Sequence, residues 1–160
     1  MILGEKVLRK VFTGLDDDQY QANGVDLKLE AVESLEYDSL NQIGIIDGEK
    51  RLPHYTTIEP DSDGYYDLKL RVPYIFDLGY LEIPVGCAAF YWLRSTLCRM
   101  GLQMSSAVGD SGFKGHIKVL VTPQYRTVKI KQGERVVQTC YFTVDDGGVY
   151  NGDYQENGSE

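Results

Sequence analysis

Short runs of alternating apolar and polar residues, cut at close intervals by turn residues, constrain this chain's fold more than any other feature. Val25, Leu27 and Leu29 alternate with Asp26, Lys28 and Glu30, as a strand with one buried face requires. Tyr66 to Val72, His116 to Val121, Thr127 to Lys131 and Val136 to Val144 read as further strands. Cys87 to Leu93, CAAFYWL, is apolar throughout and predicts a strand buried on both faces. Asp47-Gly48, Asp63-Gly64, Gly79, Gly86, Gly112 and Gly133 punctuate these runs. Many short strands predict an all-β sandwich, barrel or jelly roll. Leu3, Val7, Leu8 and Val11 recur at helical spacing and predict one short N-terminal helix closing near Gly14. The charged run Asp16-Asp17-Asp18 then reads as a solvated loop.

A chain of 160 residues suits one domain, expected over 1–144. Residues 145–160, DDGGVYNGDYQENGSE, lack a buried-face pattern and predict a mobile tail. The formal charge of −8 and the pI near 4.8 exclude a nucleic-acid polymer as the expected partner, because neutralising many phosphates needs clustered Lys and Arg. No long uncharged apolar run predicts a membrane span, and Glu5 and Lys6 interrupt any leader at once. Cys87, Cys98 and Cys140 suit neither a disulfide framework nor a zinc knuckle. The expected setting is reducing and cytoplasmic, or the host cytoplasm for a viral chain.

Several segments carry possible chemistry. Asp61-Ser62-Asp63-Gly64 places its glycine too early for a calcium loop and reads as a hairpin turn. His54 and His116 have no companion ligand at metal spacing. Arg94 follows the apolar strand, so its guanidinium should emerge at a strand end, with the Ser95 and Thr96 hydroxyls beside it. That set suits phosphate oxygens. It equally suits an N-cap, with Ser95 starting a single helical turn whose Leu97 and Met100 pack inward. Gly101 to Gly115 reads as a hairpin with Asp110 near its tip, and Asp110-Ser111-Gly112 could be a plain Asx-turn.

Four segments in order resemble the trimeric dUTPase and dCTP deaminase superfamily. They are Asn23-Gly24-Val25-Asp26-Leu27, Arg94-Ser95-Thr96-Leu97 with Arg99-Met100-Gly101-Leu102, Asp110-Ser111-Gly112-Phe113-Lys114-Gly115, and Gly133-Glu134-Arg135-Val136-Val137-Gln138. The helical start and the Gly14 to Leu29 segment look more like the deaminase branch. The resemblance implies a distorted jelly roll assembled as a homotrimer with active sites at subunit interfaces. It implies hydrolysis of dUTP to dUMP and pyrophosphate with Mg²⁺. By motif, Asp110 would orient and deprotonate the attacking water, and the segment Leu102 to Asp110 would read uracil through its backbone. Phe113 would lie against the deoxyribose. Arg94, Ser95 and Gln138 would hold phosphates, and Asp26 would help position the metal through water. Attack on a triphosphate calls for these residue types: cations against charge and one carboxylate aligned on water.

Two positions depart from the pattern. Deaminases of this branch resemble one another in a glutamate ten residues after the third-motif aspartate; here Leu120 stands there and cannot carry a proton. The resemblance therefore implies a dUTP diphosphatase without deaminase activity, and leaves Arg99 as a vestige or an ion-pair partner. The alternatives are a bifunctional dCTP deaminase–dUTPase and an idle nucleotide-binding trimer. The glycine-rich fifth motif of ordinary dUTPases is missing, while Tyr150-Asn151-Gly152-Asp153-Tyr154 resembles the deaminase-branch tail, which implies that Tyr150 or Tyr154 covers the nucleotide.

Overall fold

The computed structural model describes residues 1–36, 42–145 and 147–156. Part of the expected tail, 146 and 157–160, lies outside the described residues. In chain order, α1 (Glu5–Val11) and a 3₁₀ turn (Asp17–Gln19) precede β1 (Tyr20–Gln21), β2 (Gly24–Lys28) and β3 (Ala31–Glu36). There follow β4 (Gly44–Ile46), β5 (Glu49–Arg51), β6 (His54–Ile58), β7 (Tyr65–Leu68), β8 (Tyr74–Glu82) and β9 (Cys87–Leu93). After α2 (Ser95–Arg99) come β10 (Leu102–Ser105), β11 (Lys114–Pro123), β12 (Val128–Lys131) and β13 (Arg135–Thr143).

The strands form two main antiparallel sheets, ordered β1-β2-β13-β9 and β10-β11-β8-β3-β6, with two small two-stranded sheets, β12-β7 and β4-β5. Val25, Leu27, Ala89, Val137 and Tyr141 of the first sheet share one apolar core with Val32, Phe76, Val119 and Val121 of the second. This is a distorted jelly roll, the architecture that the family resemblance implies and one of those that the turn-punctuated alternation allows. No helix among the described residues is long and apolar enough to cross a membrane.

Three local expectations are corrected. The helix is shorter than its apolar spacing: Leu8 is fully buried, Val7 and Val11 are exposed, and Leu3 is extended with its N–H donating to the Tyr141 carbonyl. The expected Tyr66–Val72 strand stops at Leu68, because Arg71 turns the chain at φ 59°. β9 buries one face only. Cys87, Ala89 and Tyr91 point inward, while Phe90 and Trp92 are 36% and 50% exposed on the outer face. There Phe90 stacks on Trp92 and meets the Phe142 ring edge-on, leaving an aromatic patch uncovered in the single chain.

The first sheet is fastened at one end by a buried charge. Asp26, on β2, is 1% exposed and accepts ion pairs from Arg94 Nε at 2.9 Å and Arg135 at 3.4 Å, both on Oδ2. Arg94 directly follows β9 and Arg135 begins β13, so one carboxylate ties the ends of three strands. Burial pushes the Asp26 carboxyl above the ordinary aspartate range, against the opposite pull of Arg94 and Arg135.

Two predictions follow from this packing. A Cβ on Gly24 would lie 2.4 Å from the Thr139 carbonyl oxygen, so the β2–β13 pair closes only over glycine. Gly24→Ala should cost about 2 kcal/mol or more in urea unfolding, whereas Gly14→Ala, with open space around it, should be near neutral. The second concerns pH. Because the folded chain holds the Asp26 proton more tightly than the unfolded chain, this group favours folding below the ordinary aspartate range. That contribution is lost as pH rises through the raised value. Asp26→Asn has no such slope, so the Tm of the variant minus that of wild type should increase as pH rises across this window. A difference independent of pH would show the arginines holding Asp26 ionised throughout.

Candidate functional site

The residues singled out in the sequence fall into two groups on different parts of the chain. The first group surrounds Asp26. Gln138 on β13 stands directly opposite Asp26 on one side and Trp92 on the other. Arg94 is held by its N–H to the Val136 carbonyl at 3.0 Å and by its NH1 to the Arg135 carbonyl at 3.4 Å, in addition to the Asp26 pair. Its guanidinium therefore has a fixed direction and is still a third exposed, at 32%. Ser95 and Thr96 are exposed at the first turn of α2. The N-cap of that helix is Arg94 and no side chain caps it, so the Ser95 cap is not formed. Leu97 is buried as expected, but Met100 is exposed. The result is a cationic end of a sheet with hydroxyl and amide donors, a surface suited to phosphate oxygens.

Arg135 is the residue that the sequence reading left without a role. It gives Asp26 a second guanidinium and also pairs with Asp18 at 3.4 Å. Its place in the fourth motif, at the start of a strand, was the available signal. Asp26 itself offers a hard oxygen ligand, and both of its ion pairs are on Oδ2. One carboxylate beside a surface suited to phosphate oxygens fits Mg²⁺, which takes few protein ligands and keeps its waters.

The second group lines a cleft of about 620 Å³ bounded by Ser106 to Asp110, Phe113, Tyr91, Tyr150 and Tyr154, and at its far wall by His116, Lys118 and Glu33. Gly101 to Gly115 does not close as one hairpin. β10 pairs with Leu120–Pro123 of β11, and residues between them arch across to the first sheet. There the Gly109 and Ala89 backbones exchange two hydrogen bonds of 2.8 Å. The following turn is closed by the Phe113 N–H on the Asp110 carbonyl at 3.1 Å, with Gly112 at φ 76°. Ser111 fixes it further, its hydroxyl accepting from the Gly86 N–H at 2.9 Å. The Asx-turn is thus not formed: backbone groups close the turn, and the exposed Asp110 carboxylate accepts no hydrogen bond among the described residues.

Residues 147–156 run along this turn. Tyr150 donates its N–H to the Ser111 carbonyl and its ring meets Phe113 edge-on at 5.5 Å. Gln155 bridges the Gly112 carbonyl and the Lys114 N–H, and Asp153 pairs with Lys50 at 2.6 Å. Phe113, Tyr150 and Tyr154 therefore share the cleft with Asp110, while Arg94, Ser95, Thr96, Gln138 and Asp26 of the same chain do not line it.

Other candidates resolve into structural roles. Asp61 closes its turn by accepting the Asp63 and Tyr65 N–H groups. His116 does gain carboxylate company that linear spacing hides: its Nδ1 lies 2.9 Å from Asp77, with Glu30 alongside. Arg99 is exposed on α2, and Leu120 is half-buried on β11.

Comparison with known proteins places this geometry. Residues 4–144 match the family described as dCTP deaminase-like. A protein of Methanopyrus kandleri named as a probable deoxyuridine 5′-triphosphate nucleotidohydrolase is 44% identical over 157 residues, covering 96% of this chain and 99% of its own. The deoxyuridine 5′-triphosphate nucleotidohydrolase of Methanocaldococcus jannaschii is 32% identical over 160 residues, covering 97% and 99%. The crystal structure of 2′-deoxycytidine 5′-triphosphate deaminase from Agrobacterium tumefaciens shares the fold, with a TM-score of 0.65 at 18% identity. That match covers 88% of this chain and 47% of the deaminase chain. With a family match that spans nearly its whole length, and full-length relatives at these identities, the chain belongs to the dCTP deaminase-like family.

Proposed function

We propose that this protein is a homotrimeric, cytoplasmic dUTP diphosphatase that uses Mg²⁺ and lacks dCTP deaminase activity. The observation that carries the reading is the Asp110 carboxylate, unpaired at the mouth of an aromatic-lined cleft and presented by a rigid turn. The relatives named for dUTP support the choice of substrate. In this reading the base and sugar occupy the cleft, with Phe113 against the deoxyribose and Tyr150 over it. The backbone of Ser106 to Val108 faces the pyrimidine, where an ill-matched base would leave buried polar groups unpaired. Asp110 orients a water and takes its proton as the new P–O bond forms at the α-phosphorus and the bond to the bridging oxygen breaks, giving dUMP and pyrophosphate. Arg94, Ser95, Thr96 and Gln138 hold the phosphates. Asp26 would hold Mg²⁺ through water, and the ion when bound supplies positive charge against the triphosphate.

Assembly explains the separation of the two groups. The aromatic patch of Phe90, Trp92 and Phe142 lies on the same outer face as Asp26 and Gln138. A second copy seated there buries exposed rings and brings its own Asp110 cleft to the cationic end of the first sheet. Leu120 supports the absence of deamination, since an aliphatic side chain exchanges no proton with a cytosine amine.

The first test is a product assay. With Mg²⁺ the protein should convert dUTP to dUMP and pyrophosphate and leave dCTP unreacted; dUTP or dUMP appearing from dCTP would sink the single-activity reading. The second tests the shared site. Asp110→Asn should bind nucleotide yet lose about two orders of magnitude in kcat, and Ser95→Ala should also be impaired. Refolding an equal mixture should restore activity to roughly a quarter of wild type, because a quarter of head-to-tail sites pair two intact halves. No recovery in trimers verified as mixed by mass spectrometry would reject the shared site.

A further inference from the structure

Behind the Asp110 turn lies a phenol that neither the sequence motifs nor the proposed chemistry uses. Tyr91 is 7% exposed, points inward from β9 and lines the cleft with Asp110. Its hydroxyl is buried and has no hydrogen-bond partner among the described residues. Such an orphan donor costs stability, and one that persists calls for a reason. The neighbouring hydroxyls do not supply it. Thr139, directly across the strand pair, and Tyr141, two residues further along β13, are equally buried, and the Tyr141 hydroxyl interacts with Thr139 rather than with Tyr91.

The position of the phenol supplies one. Its oxygen would lie 2.5 Å from a Cβ on Gly109, so it rests against the Gly109 backbone. Glycine is what allows this approach: a methyl group there would also meet Ile83 and Ala89 below 3.0 Å. The two hydrogen bonds between Gly109 and Ala89 lock that contact, and the next residue in the chain is Asp110. Burial pushes the Tyr91 hydroxyl well above the ordinary tyrosine range, and the Asp110 charge adds to this, so it remains a proton donor.

Resting on the proposed role of Asp110 as base, we infer that Tyr91 is a positioning residue for it: the buried hydroxyl donates a hydrogen bond to the Asp110 carboxylate in the working site and fixes its direction. The other titratable or charged groups of the cleft are Glu33, Tyr55, His116, Lys118, Tyr150 and Tyr154. They are the same in wild type and in a Tyr91 variant, so a comparison of the two isolates the phenol.

The test is Tyr91→Phe, which keeps the ring and removes one oxygen. Two readouts are needed. Carbon-13 NMR of labelled aspartate carboxyls, with Asp110 assigned by the signal missing in Asp110→Asn, should show its titration midpoint higher in Tyr91→Phe than in wild type, since a donor to the charged form is gone. Turnover of dUTP should fall roughly tenfold with little change in KM, the usual consequence of losing one hydrogen bond to a charged group. Identical midpoints would overturn the inference whatever the activity. Unchanged turnover in an enzyme that hydrolyses dUTP would overturn it too. Wild type inert toward dUTP, with the midpoint still shifted, would overturn the functional reading and leave the hydrogen bond standing.

Discussion

The carboxylate of Asp26 is the constraint on which the arrangement of the first sheet depends. A charge this deeply buried is expensive unless opposite charges meet it, and removing either side of such a pair strands the other. Arg94 and Arg135 meet it from the end of β9 and the start of β13. The pairing therefore fixes where those strands begin and end relative to β2. It also aims the Arg94 guanidinium and sets the point at which β9 gives way to α2. The proposed phosphate site is thus assembled from the same interaction that aligns the strands. Lysine at position 94 would keep the charge but lose the planar fork that lets one side chain face both Asp26 and a phosphate.

The Asp110 turn follows a different logic. It is held almost entirely by backbone groups: Gly109 on Ala89, Gly112 on the Ile83 carbonyl, and Phe113 donating to the Asp110 carbonyl while accepting from Ile83. Backbone closure leaves the carboxylate unused by the fold, as a reacting group must be. The cost is borne by glycines. Gly109 has no room for a side chain, and Gly112 combines a left-handed conformation with Val149 packed close against it.

Much of the fold was legible from period-two alternation, and the failures have identifiable causes. β11 alternates cleanly over its whole length and is legible from His116 onward. β8 is not, because its partner register slips near Gly79, where an extra residue breaks the alternation. The all-apolar run Cys87 to Leu93 reads as buried on both faces, since composition cannot tell a covered face from one awaiting a partner. The site residues were legible only through motifs. Arg94, Asp110 and Gln138 carry no periodic signal, and nothing in linear spacing puts Asp26 between two arginines or Asp77 and Glu30 beside His116. Tyr91 was hidden inside an apolar run, where its hydroxyl looked like one more piece of core.

The exposed indole of Trp92 has a practical consequence. It belongs to the chain's single tryptophan and sits on the aromatic patch, next to Gln138 rather than in the core. Indole emission follows the polarity of its surroundings, so in this protein fluorescence is nearly blind to unfolding of the jelly roll. What it registers is whether that outer face is wet or covered. The proposed assembly accordingly carries its own optical gauge. Dilution through the dissociation range would be read as a red shift at constant secondary structure, and a nucleotide that draws neighbouring subunits together as the reverse.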